Sequence, residues 1–591
     1  MTLASFPPPV FMEEYNRVGE KSPLIPSKRK RRSKEFPEDQ DDSHVAILNG
    51  RKKSSFPLVC IILAVLLERT TYYGILSNLV VFLTTEMDFA FGSLGVGNST
   101  ISNGIIVSVF AYTGMAWFMS TVGGFIGDSY SGHYNAIYGS LLIYILGSGS
   151  LFMITVLLKY SSSSLNDYKE LSVGLTIGTL LVLSIGEGTY KANISAFGAE
   201  QLSSDDSKTY RQFFNWYYWA INVASFLAYM LLAYIQVNWG FFYGYLISLC
   251  CILLACVLFC IPQSHYNIKP ASGNILKKVC GVIREAYRLR KGRTENSVFQ
   301  CRTYPSLEEF LPIQSWLDRA MIKYGGTFLD TDVEEVKTLR KISLIFLAQI
   351  PYWMIYFQMN STFLNQGLHM NLIDISEGSH IPAAWLTVTD VIFVLLLIPV
   401  MDKLIYPWLD RRGLRVSVLM RISIGFLFAV AAMVVAGGVE YKRRNVEMLR
   451  TVNQTINQKT FIAADLSIMY QIPQYGLIGV SEVFASVGGL EFAYREAPPS
   501  MQSFVMGLFF FVQSIGSLLG AALYSFAGHV LHWTTESFYT VGPHLDCYFF
   551  LLGAIMLVSW LVFVVVCIRS GLPFFQRSWP WAESFQGSMY Q

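Results

Sequence analysis

The chain has 591 residues, of which 53% are hydrophobic and only 14% are charged, and its formal net charge is +3. Soluble proteins carry about 25% charged residues, so this composition excludes an ordinary soluble protein. The nine cysteines are scattered, mostly in apolar segments such as LCCILLACVLFC, and this predicts small buried residues rather than a disulfide framework.

The chain begins with a polar segment that contains the basic cluster KRKRRSK and no cleavable signal peptide. By the positive-inside rule, this cluster places the N-terminus in the cytoplasm. The same polar segment contains EKSPLI, in which Glu20, Leu24 and Ile25 have the spacing of an acidic dileucine sorting motif. It also contains YNRV, which fits a tyrosine-based sorting motif. We therefore expect residues 1–54 to form a cytoplasmic tail that binds sorting adaptors.

Long apolar runs recur after the tail, for example GLTIGTLLVLSIGEGTY. Each is close to the length of about 20 residues that crosses a bilayer. Because backbone groups in lipid must be satisfied within a helix, the pattern predicts an all-α membrane protein. We place 12 transmembrane helices near residues 56–84, 102–127, 134–157, 171–197, 210–236, 239–262, 341–366, 383–408, 414–438, 467–497, 501–528 and 546–570.

A long segment rich in Lys and Arg, residues 263–340, divides these spans into six and six. The sequence thus predicts a six-helix bundle over 55–262, a cytoplasmic central loop, a second bundle over 341–570 and a cytoplasmic C-terminal tail, 571–591. Two six-helix bundles are the plan of the major facilitator superfamily, whose halves rock about a central cavity. This architecture leaves the substrate open.

Two glycosylation sequons agree with this topology. NST at Asn98 follows the first span and NQT at Asn453 follows the ninth, so both are predicted on the lumenal or extracellular side. The KRR triplet in EYKRRNVEMLR conflicts with it, because it places basic residues on that same side. We keep the topology because the N-terminal and central segments both support it.

Several spans carry extended motifs. They are ERTTYYG in span 1, GGFIGDSYSGHYNAI after span 2, KANISAFGAEQL in span 4, FFNWYYWAINVASF in span 5 and QIPQYGLIGVSEVFASVGGLEFAYREAPPSM in span 10. These stretches resemble the motifs of the proton-coupled oligopeptide transporter family, and the resemblance covers about residues 55–570. Span 7, IPYWMIYFQMNSTFLNQGL, is similar to the peptide/histidine branch of that family. The resemblance implies an alternating-access transporter of histidine and di- or tripeptides, with protons as the coupling ion and no other cofactor.

Charged side chains within the spans are the candidate binding residues, since a charge in a membrane normally faces a cavity or a partner. Arg69 precedes Tyr72 and Tyr73 by three and four residues, so a guanidinium and two phenols share one helix face, which suits a carboxylate. Lys191 in span 4 offers a second cation, and Glu482 in span 10 suits an ammonium group. The resemblance assigns Arg69, Lys191 and Glu482 to the two ends of a zwitterionic peptide. The alternative is a purely structural ion-pair network.

Two further residues are candidates for the same cavity. Asn222 is the cavity residue expected in the aromatic span 5. Asp390 in span 8 replaces an Asn that is usual in the family and that contacts the peptide amine. An Asp there either adds an anion for the amine or for a histidine imidazolium, or it serves helix packing.

The turn between spans 2 and 3 contains Asp128 and Gly132 in the family's signature. The resemblance gives these residues a conformational role, in which Asp128 anchors the turn. His133 follows Gly132 where the family usually has Lys or Arg, so we expect a weaker or pH-sensitive anchor.

Proton coupling does not follow directly from the motifs. The family has a Glu where Val65 stands in span 1. The acid in span 7 of the plasma-membrane peptide transporters is also missing, with Phe357 close to its place, and their span 2 His aligns roughly with Phe110. Three positions that titrate in relatives are therefore apolar here.

Glu187 is a candidate compensation. It precedes Lys191 by four residues in span 4, which is the favourable order for an intrahelical ion pair. We hypothesise that an acid has moved from span 1 to span 4, and that Glu187 shares proton coupling with Glu68 and Glu482. The alternative is that Glu187 only neutralises Lys191.

The sorting motifs favour an endosomal or lysosomal membrane and export from an acidic lumen to the cytosol, with the plasma membrane as the alternative. A rival function is a transport-impaired receptor or scaffold that signals through its cytoplasmic segments. The apolar Val65 favours this rival, whereas retention of Arg69, Lys191 and Glu482 favours transport. No nucleophile–base pair, metal-ligand spacing or nucleic-acid-binding pattern was found, so we expect no enzyme, no metal site and no nucleic-acid partner.

Overall fold

The computed structural model describes the parts of the chain in which the predicted spans lie. The described residues are 56–86, 98–160, 169–202, 207–271, 275–292, 315–376, 379–412, 416–456, 459–498, 502–534 and 544–569. The sorting residues Glu20, Leu24 and Ile25 lie outside these residues, as does the side chain of Asn98.

The described residues of the first half form helices joined by short turns, because apolar runs in a membrane must satisfy their backbone groups locally. Its α-helices are α1 (Phe56–Ser77), α2 (Leu79–Thr85), α3 (Asn98–Ile126), α4 (His133–Tyr160), α5 (Lys169–Glu200), α6 (Ser207–Leu227), α7 (Ala233–Asn238) and α8 (Phe241–Cys260). Short π-helical turns follow α3 at Gly127–Ser131 and join α6 to α7 at Ala228–Leu232.

The central segment contains an amphipathic helix, α9 (Ile275–Gly292), which packs against the short 3-10 turn Trp316–Ala320 and against the helix that begins at Asp330. Lys278 of α9 forms ion pairs with Asp332 and with Glu335, the latter at 3.0 Å. Partial burial lowers the pKa of Lys278, but hydrogen bonds to these two carboxylates outweigh it and raise the pKa above its ordinary value. The segment predicted as a loop is therefore partly a docked helix.

The second half contains the remaining helices and two small sheets. The helices are α10 (Asp330–Tyr356), α11 (Thr362–Leu368), α12 (Thr387–Val400), α13 (Tyr406–Arg411), α14 (Val418–Glu447), α15 (Ile472–Ser481), α16 (Val487–Glu496), α17 (Gln502–His529) and α18 (Leu545–Arg569). The strands are β1 (Met370–Asn371), β2 (Asp374–Ser376), β3 (Ser379–His380), β4 (Thr451–Ile456) and β5 (Lys459–Ser467). Strands β4 and β5 form an antiparallel hairpin, β1 pairs parallel to β5, and β2 pairs antiparallel to β3.

Eleven helical stretches of the described residues are long and apolar enough to cross a membrane. They are Phe56–Ser77, Gly104–Ser131, His133–Lys159, Trp216–Asn238, Phe241–Cys260, Asp330–Leu368, Ala383–Leu409, Val418–Glu447, Ile468–Ala493, Phe504–His529 and Leu545–Arg569. The predicted fourth span coincides with α5, a continuous helix of 32 residues. Glu187 and Lys191 in its second half lower its hydropathy, and its buried position among α3 and α4 explains how a helix with two internal charges is tolerated.

The two halves contact each other along α3 and α17. Ser517 Oγ donates a hydrogen bond to the carbonyl oxygen of Phe110 at 2.8 Å, and Thr121 Oγ1 donates to the carbonyl oxygen of Gly507 at 3.0 Å. A Cβ on Gly520 would lie 3.1 Å from the ring of Phe110. Phe110 thus belongs to the packed interface between the halves.

The basic triplet that conflicted with the predicted topology includes a fully buried ion pair. Arg443 is 0% exposed, and its Nη2 lies 2.8 Å from Oε1 of Glu440, which is also 0% exposed. Its Nη1 lies 2.8 Å from Oε2 of Glu447. Arg443 is therefore held by two carboxylates of its own helix.

The other two residues of the triplet also have partners. Arg444 Nη1 lies 2.8 Å from Oδ1 of Asp546 at the start of α18, and Lys442 Nζ lies 4.0 Å from the ring centre of Tyr470. Because these contacts occupy the basic groups, the triplet is a structural cluster, and its place on the predicted lumenal side is understandable.

Two glycines allow α5 to approach its neighbours closely on either side of Glu187. A Cβ on Gly186 would lie 2.7 Å from the backbone nitrogen of Tyr144 in α4, and one on Gly188 would lie 2.3 Å from the carbonyl oxygen of Ala116 in α3. Both neighbours are backbone atoms, so neither position has room for a side chain. These contacts place Glu187 in the interior of the first half.

We expect Gly188→Ala to lower the stability of the protein by about 1–3 kcal/mol, because α3 and α5 must separate to admit the methyl group. Gly178→Ala in the same helix is the matched control, since a Cβ there meets nothing within 4 Å. Thermal unfolding of the detergent-purified variants compares the two. Equal midpoints for both variants would contradict the close-packing explanation.

Candidate functional site

A buried ion cluster lies between α1 and α5. Arg69 Nε and Nη2 donate to the two carboxylate oxygens of its neighbour Glu68 at 2.6 and 2.9 Å. Arg69 Nη1 and Nη2 both lie 3.4 Å from Oε1 of Glu187. Glu68 and Glu187 are 0% and 1% exposed and Arg69 is 5% exposed. The guanidinium predicted to be open to a ligand is thus held mainly by Glu68.

The predicted ion pair between Glu187 and Lys191 is not formed. Glu187 points to Arg69 instead, and its Oε2 has no hydrogen-bond partner within the described part of the chain. Lys191 Nζ lies 2.8 Å from the ring centre of Trp117 in α3. Helical spacing predicted a contact between Glu187 and Lys191 within α5. Glu187 instead contacts the guanidinium of Arg69 in the neighbouring helix α1. Lys191 makes no ion pair with any described residue.

The tyrosines of α1 connect this cluster to the second half. The ring of Tyr72 lies 5.1 Å from Arg69 Cζ and 5.1 Å from the ring of Tyr73. Tyr73 lies close enough to Arg69 and to Glu482 to interact electrostatically with both. It also packs on Tyr229, whose hydroxyl donates to Asn360 Oδ1 at 3.1 Å. Tyr73 therefore lies between the charged groups of the two halves.

Two carboxyl groups lie together in the second half. Asp390 is in the first turn of α12, and Glu482 begins a π-helical turn, Glu482–Ser486, that follows α15. Both side chains are 1% exposed, and they lie close enough to each other to interact electrostatically. Such π-helical turns inside helices occur frequently at functional sites. The sequence named both residues as candidates but did not predict that they lie near each other.

Asn222 lies in the interior of α6, as predicted. Its Nδ2 donates to the carbonyl oxygen of Tyr218 at 2.9 Å, and its Oδ1 accepts no hydrogen bond from another described residue. A buried amide oxygen without a partner is costly, so it marks a place where a ligand or a water molecule is expected.

An aromatic cluster lies beside Lys191, where rings from the two halves meet. Trp117 lies 6.4 Å from Phe357 and 5.5 Å from Phe510, measured between ring centres. Phe357 is the first residue of a short 3-10 turn, Phe357–Asn360, that separates α10 from α11. Trp117 is not among the residues predicted from the motifs, but its position within a span is a signal, because tryptophans concentrate at membrane interfaces.

His133 joins two carboxylates at the turn after α3, Asp128 of the motif and Glu200. His133 Nε2 lies 2.9 Å from Oδ1 of Asp128, and its Nδ1 lies 2.9 Å from Oε1 of Glu200 at the end of α5. Gly132 has φ +72°, a conformation that favours glycine. An imidazole donates to two carboxylates only when both nitrogens carry protons, so this anchor fits a protonated histidine.

Asn453 lies in β4 and is exposed, so its side chain is accessible to modification. Glu491 of α16 pairs with Arg421 of α14, which supports a packing role for this residue. One group of described residues has a spacing that fits a metal ion, His544, Asp546 and Cys547. Since Asp546 already accepts from Arg444 at 2.8 Å, a guanidinium competes for that carboxylate.

The charges of the two halves are arranged in opposite senses around Tyr73. The first half contains both cations, Arg69 and Lys191, together with the two glutamates of the ion cluster. On the side of the second half, the charged candidates are the carboxyl groups of Asp390 and Glu482. A ligand between the halves would thus meet Lys191, a cation without an ion pair among the described residues, on one side and two carboxyl groups on the other.

Residues 134–536 match the model of the POT family. A mouse protein named solute carrier family 15 member 3 is 32% identical over 550 residues, covering 86% of this chain and 90% of that protein. A solved structure described as an auto inhibited POT family peptide transporter aligns with a TM-score of 0.67 and 20% identity, over 87% of this chain and 97% of that one. The POT family transporter PepTSo aligns with a TM-score of 0.66 and 20% identity, over 88% and 98% of the two chains.

The resemblance read from the motifs is thereby confirmed, and so is the predicted fold class. The solved structures carry the fold comparison, since their identity to this chain is low. The relatives and structural neighbours are transporters rather than enzymes. The chain belongs to the POT family, and its fold is that of a major facilitator superfamily transporter with 12 transmembrane helices in two six-helix bundles.

Proposed function

We propose that the protein is a proton-coupled transporter of histidine and di- or tripeptides that exports them from an acidic lumen to the cytosol. The observation that carries this proposal is the position of Lys191, which has no ion-pair partner among the described residues of the first half, opposite the carboxyl groups of Asp390 and Glu482 in the second half. A zwitterionic peptide has the same separation of charge. Relatives support it, because matching solved structures are described as peptide transporters.

The carboxylate end of the substrate would bind to Lys191 and Arg69. Lys191 is the better placed of the two, because it has no ion-pair partner among the described residues while Arg69 is held by Glu68. Tyr72 and Tyr73 border the same side of α1 and can donate hydrogen bonds to a carboxylate.

The ammonium end would bind to Glu482 and Asp390, with Asn222 as an additional acceptor. Asp390 Oδ1 and Asn222 Oδ1 are buried and without partners in the described part of the chain. Both are therefore available to a donor such as an ammonium or an imidazolium group. This arrangement supports a substrate with one cationic group at this end.

Protons would couple through Glu68, Glu187 and Glu482. A proton on Glu68 or Glu187 removes one of the carboxylates that hold Arg69, and the guanidinium is then free to bind the carboxylate of the substrate. Proton and substrate thus bind together, which is the requirement for symport. Glu187 supports this step even though Val65 stands in the usual acidic position, because Glu187 reaches Arg69 from α5.

Location in an endosomal or lysosomal membrane follows from the dileucine segment at Glu20, Leu24 and Ile25, with adaptors as partners. Lumenal glycans at Asn98 and Asn453 fit the same orientation, and Asn453 is exposed. Loss of a glycosidase-sensitive mobility shift in Asn453→Gln tests this orientation. A shift that is unchanged in both Asn98→Gln and Asn453→Gln would contradict it.

The function is tested by uptake of labelled histidine and a labelled dipeptide into cells that express a Leu24→Ala/Ile25→Ala variant, which brings the protein to the surface. We expect uptake to be faster at acidic than at neutral external pH. We also expect each unlabelled substrate to reduce uptake of the labelled ones by competition. A surface-expressed protein that takes up neither substrate at any pH would favour the receptor or scaffold function, which the apolar Val65 makes the second candidate.

A further inference from the structure

One face of α9 is docked against the segment that precedes the second half. The buried side chains of this face are Val279, Val282 and Ala286. A Cβ on Gly281 would lie 2.9 Å from the ring of Phe328, and Thr327 Oγ1 donates to Glu285 Oε2 at 2.6 Å. Glu285 is the only acidic residue in the sequence of α9, so docking engages the one negative side chain of this helix.

The opposite face of α9 is exposed and carries only positive charge. Its residues follow the spacing of three and four that places side chains on one side of a helix. They are Cys280, Ile283, Arg284, Tyr287 and Arg288, with exposed Arg290 beside them, and we call these six residues the basic stripe. Ile283 is 42% exposed and Tyr287 is 62% exposed. None of the three arginines forms an ion pair with another described residue.

The segment around α9 is attached to both halves on the predicted cytoplasmic side. Before α9, the backbone nitrogen of Asn267 donates to Oε1 of Gln201, directly after α5, at 2.7 Å. A Cβ on Gly132, in the turn after α3, would lie 3.1 Å from the carbonyl oxygen of Lys269. The ion pairs of Lys278 attach α9 to the start of α10. Because the ends of spanning helices lie at the level of the lipid headgroups, α9 is held beside the cytoplasmic surface of the bilayer.

The composition of the basic stripe selects its partner. A guanidinium binds a phosphate through two parallel hydrogen bonds, and the cytoplasmic leaflet contains anionic lipids that attract basic segments next to the membrane. Ile283 and Tyr287 lie among the arginines, and apolar side chains next to basic ones are typical of helices that lie in the membrane interface. Tyrosine is itself enriched at that interface. This mixture favours a lipid surface over an acidic protein segment, which would need only the charges.

We propose that the basic stripe of α9 binds the anionic headgroups of the cytoplasmic leaflet. The bound lipid would fasten the segment that joins the two halves to the membrane surface. This contact does not depend on which substrate is transported, so it goes beyond the proposed function and can fail or succeed independently of it.

The test uses the full chain in nanodiscs of phosphatidylcholine, with or without phosphatidylserine. A fluorophore on Cys280 reports the position of the stripe, because nitroxide-labelled lipids quench it only when it lies at the bilayer surface. Cys250, which is exposed, and Cys301, which lies outside the described residues, are changed to serine, and Cys280→Ser in the same background gives the residual signal. We expect quenching that increases with the fraction of phosphatidylserine and decreases at high salt.

The variant Arg284→Gln/Arg288→Gln/Arg290→Gln removes the charge of the stripe. Its apparent affinity for phosphatidylserine, read from the same quenching, should fall by about fivefold for each arginine removed. The three side chains are exposed, so the variant should fold like the wild-type protein. The corresponding triple lysine variant keeps the charge and should keep most of the quenching.

The matched control removes three exposed basic side chains from neighbouring segments, in Lys323→Gln/Arg340→Gln/Lys341→Gln. The net charge changes by the same amount as in the triple glutamine variant of the stripe. Quenching of the Cys280 label should nevertheless remain at the level of the wild-type protein.

Three results would overturn the proposal. Absence of quenching in both kinds of nanodisc would show that the stripe does not reach the bilayer. Equal quenching with and without phosphatidylserine would show that its charge does not select anionic lipid. If Cys280 is protected from labelling in cell membranes but accessible in phosphatidylserine nanodiscs, the stripe binds a protein instead.

Discussion

Replacing Arg69 by methionine is expected to abolish dipeptide uptake and to lower stability by about 3–5 kcal/mol, because the buried carboxylates of Glu68 and Glu187 lose their cation. Both carboxylate oxygens of Glu68 accept hydrogen bonds from Arg69, at 2.6 and 2.9 Å. Most of the lost stability is therefore expected to come from Glu68. Thermal unfolding of the purified protein and uptake by surface-expressed protein measure the two effects separately.

A compensated variant separates the two effects of Arg69. Replacing both Glu68 and Glu187 by glutamine in the Arg69→Met background removes the unpaired charges while nearly preserving side-chain size. We expect this triple variant to recover most of the lost stability and to remain inactive. Retained uptake in folded Arg69→Met would show that the guanidinium is not part of substrate binding.

Replacing Arg443 by methionine is the second change with a large expected effect. Arg443 and Glu440 are fully buried, and Glu440 Oε2 also accepts from Gln366 Nε2 at 2.9 Å. Removal of the Arg443 guanidinium leaves the buried carboxylate of Glu440 with only neutral hydrogen-bond donors among the described residues, such as Gln366. Glu447, the second acid that Arg443 binds, also loses its partner. We expect a loss of about 3–5 kcal/mol, measured as a lower midpoint of thermal unfolding.

Two variants check this explanation. Glu440→Gln/Arg443→Met should recover much of the lost stability, because the buried charge is gone. Arg450→Met, at an exposed arginine shortly after α14, should change stability by no more than about 0.5 kcal/mol. If Arg443→Met and Arg450→Met unfold at the same temperature, the buried pair does not stabilise the fold.

Gln366 extends this cluster across the second half. Its Oε1 accepts from Gln471 Nε2 at 2.8 Å and from Gln474 Nε2 at 3.0 Å. Helices α11, α14 and α15 are therefore joined by buried polar side chains at the end where the β4–β5 hairpin lies. Such a network favours movement of the second half as a unit, which alternating access requires.

The spans and the identity of most charged candidates could be predicted from the sequence, because a run of apolar residues and a charge within it are local signals. The partners of those charges could not be predicted. Helical spacing placed Glu187 beside Lys191, whereas the close approach of α5 to its neighbours placed it beside Arg69. Likewise, the proximity of Asp390 and Glu482 depends on where α12 meets α15, which is not encoded in either span alone.

The segments outside the spans were the least predictable. The helix α9 has an amphipathic pattern, ILKKVCGVIREAYRLRKG, but the strong basic character of the central segment led to its assignment as a loop. The sequence indicates the positive charge of the KRR triplet but not the partners of its side chains. Its neutralisation by Glu440, Glu447 and Asp546 depends on side-chain contacts, and positive-inside reasoning counts residues without regard to their partners.

The most direct test of the account is uptake of a labelled dipeptide by the purified full chain in proteoliposomes with an imposed pH gradient. We expect accumulation when the outside is acidic, loss of that accumulation when an ionophore collapses the gradient, and binding without accumulation when no gradient is imposed. Uptake at the same rate and to the same level with and without the gradient would contradict proton-coupled transport.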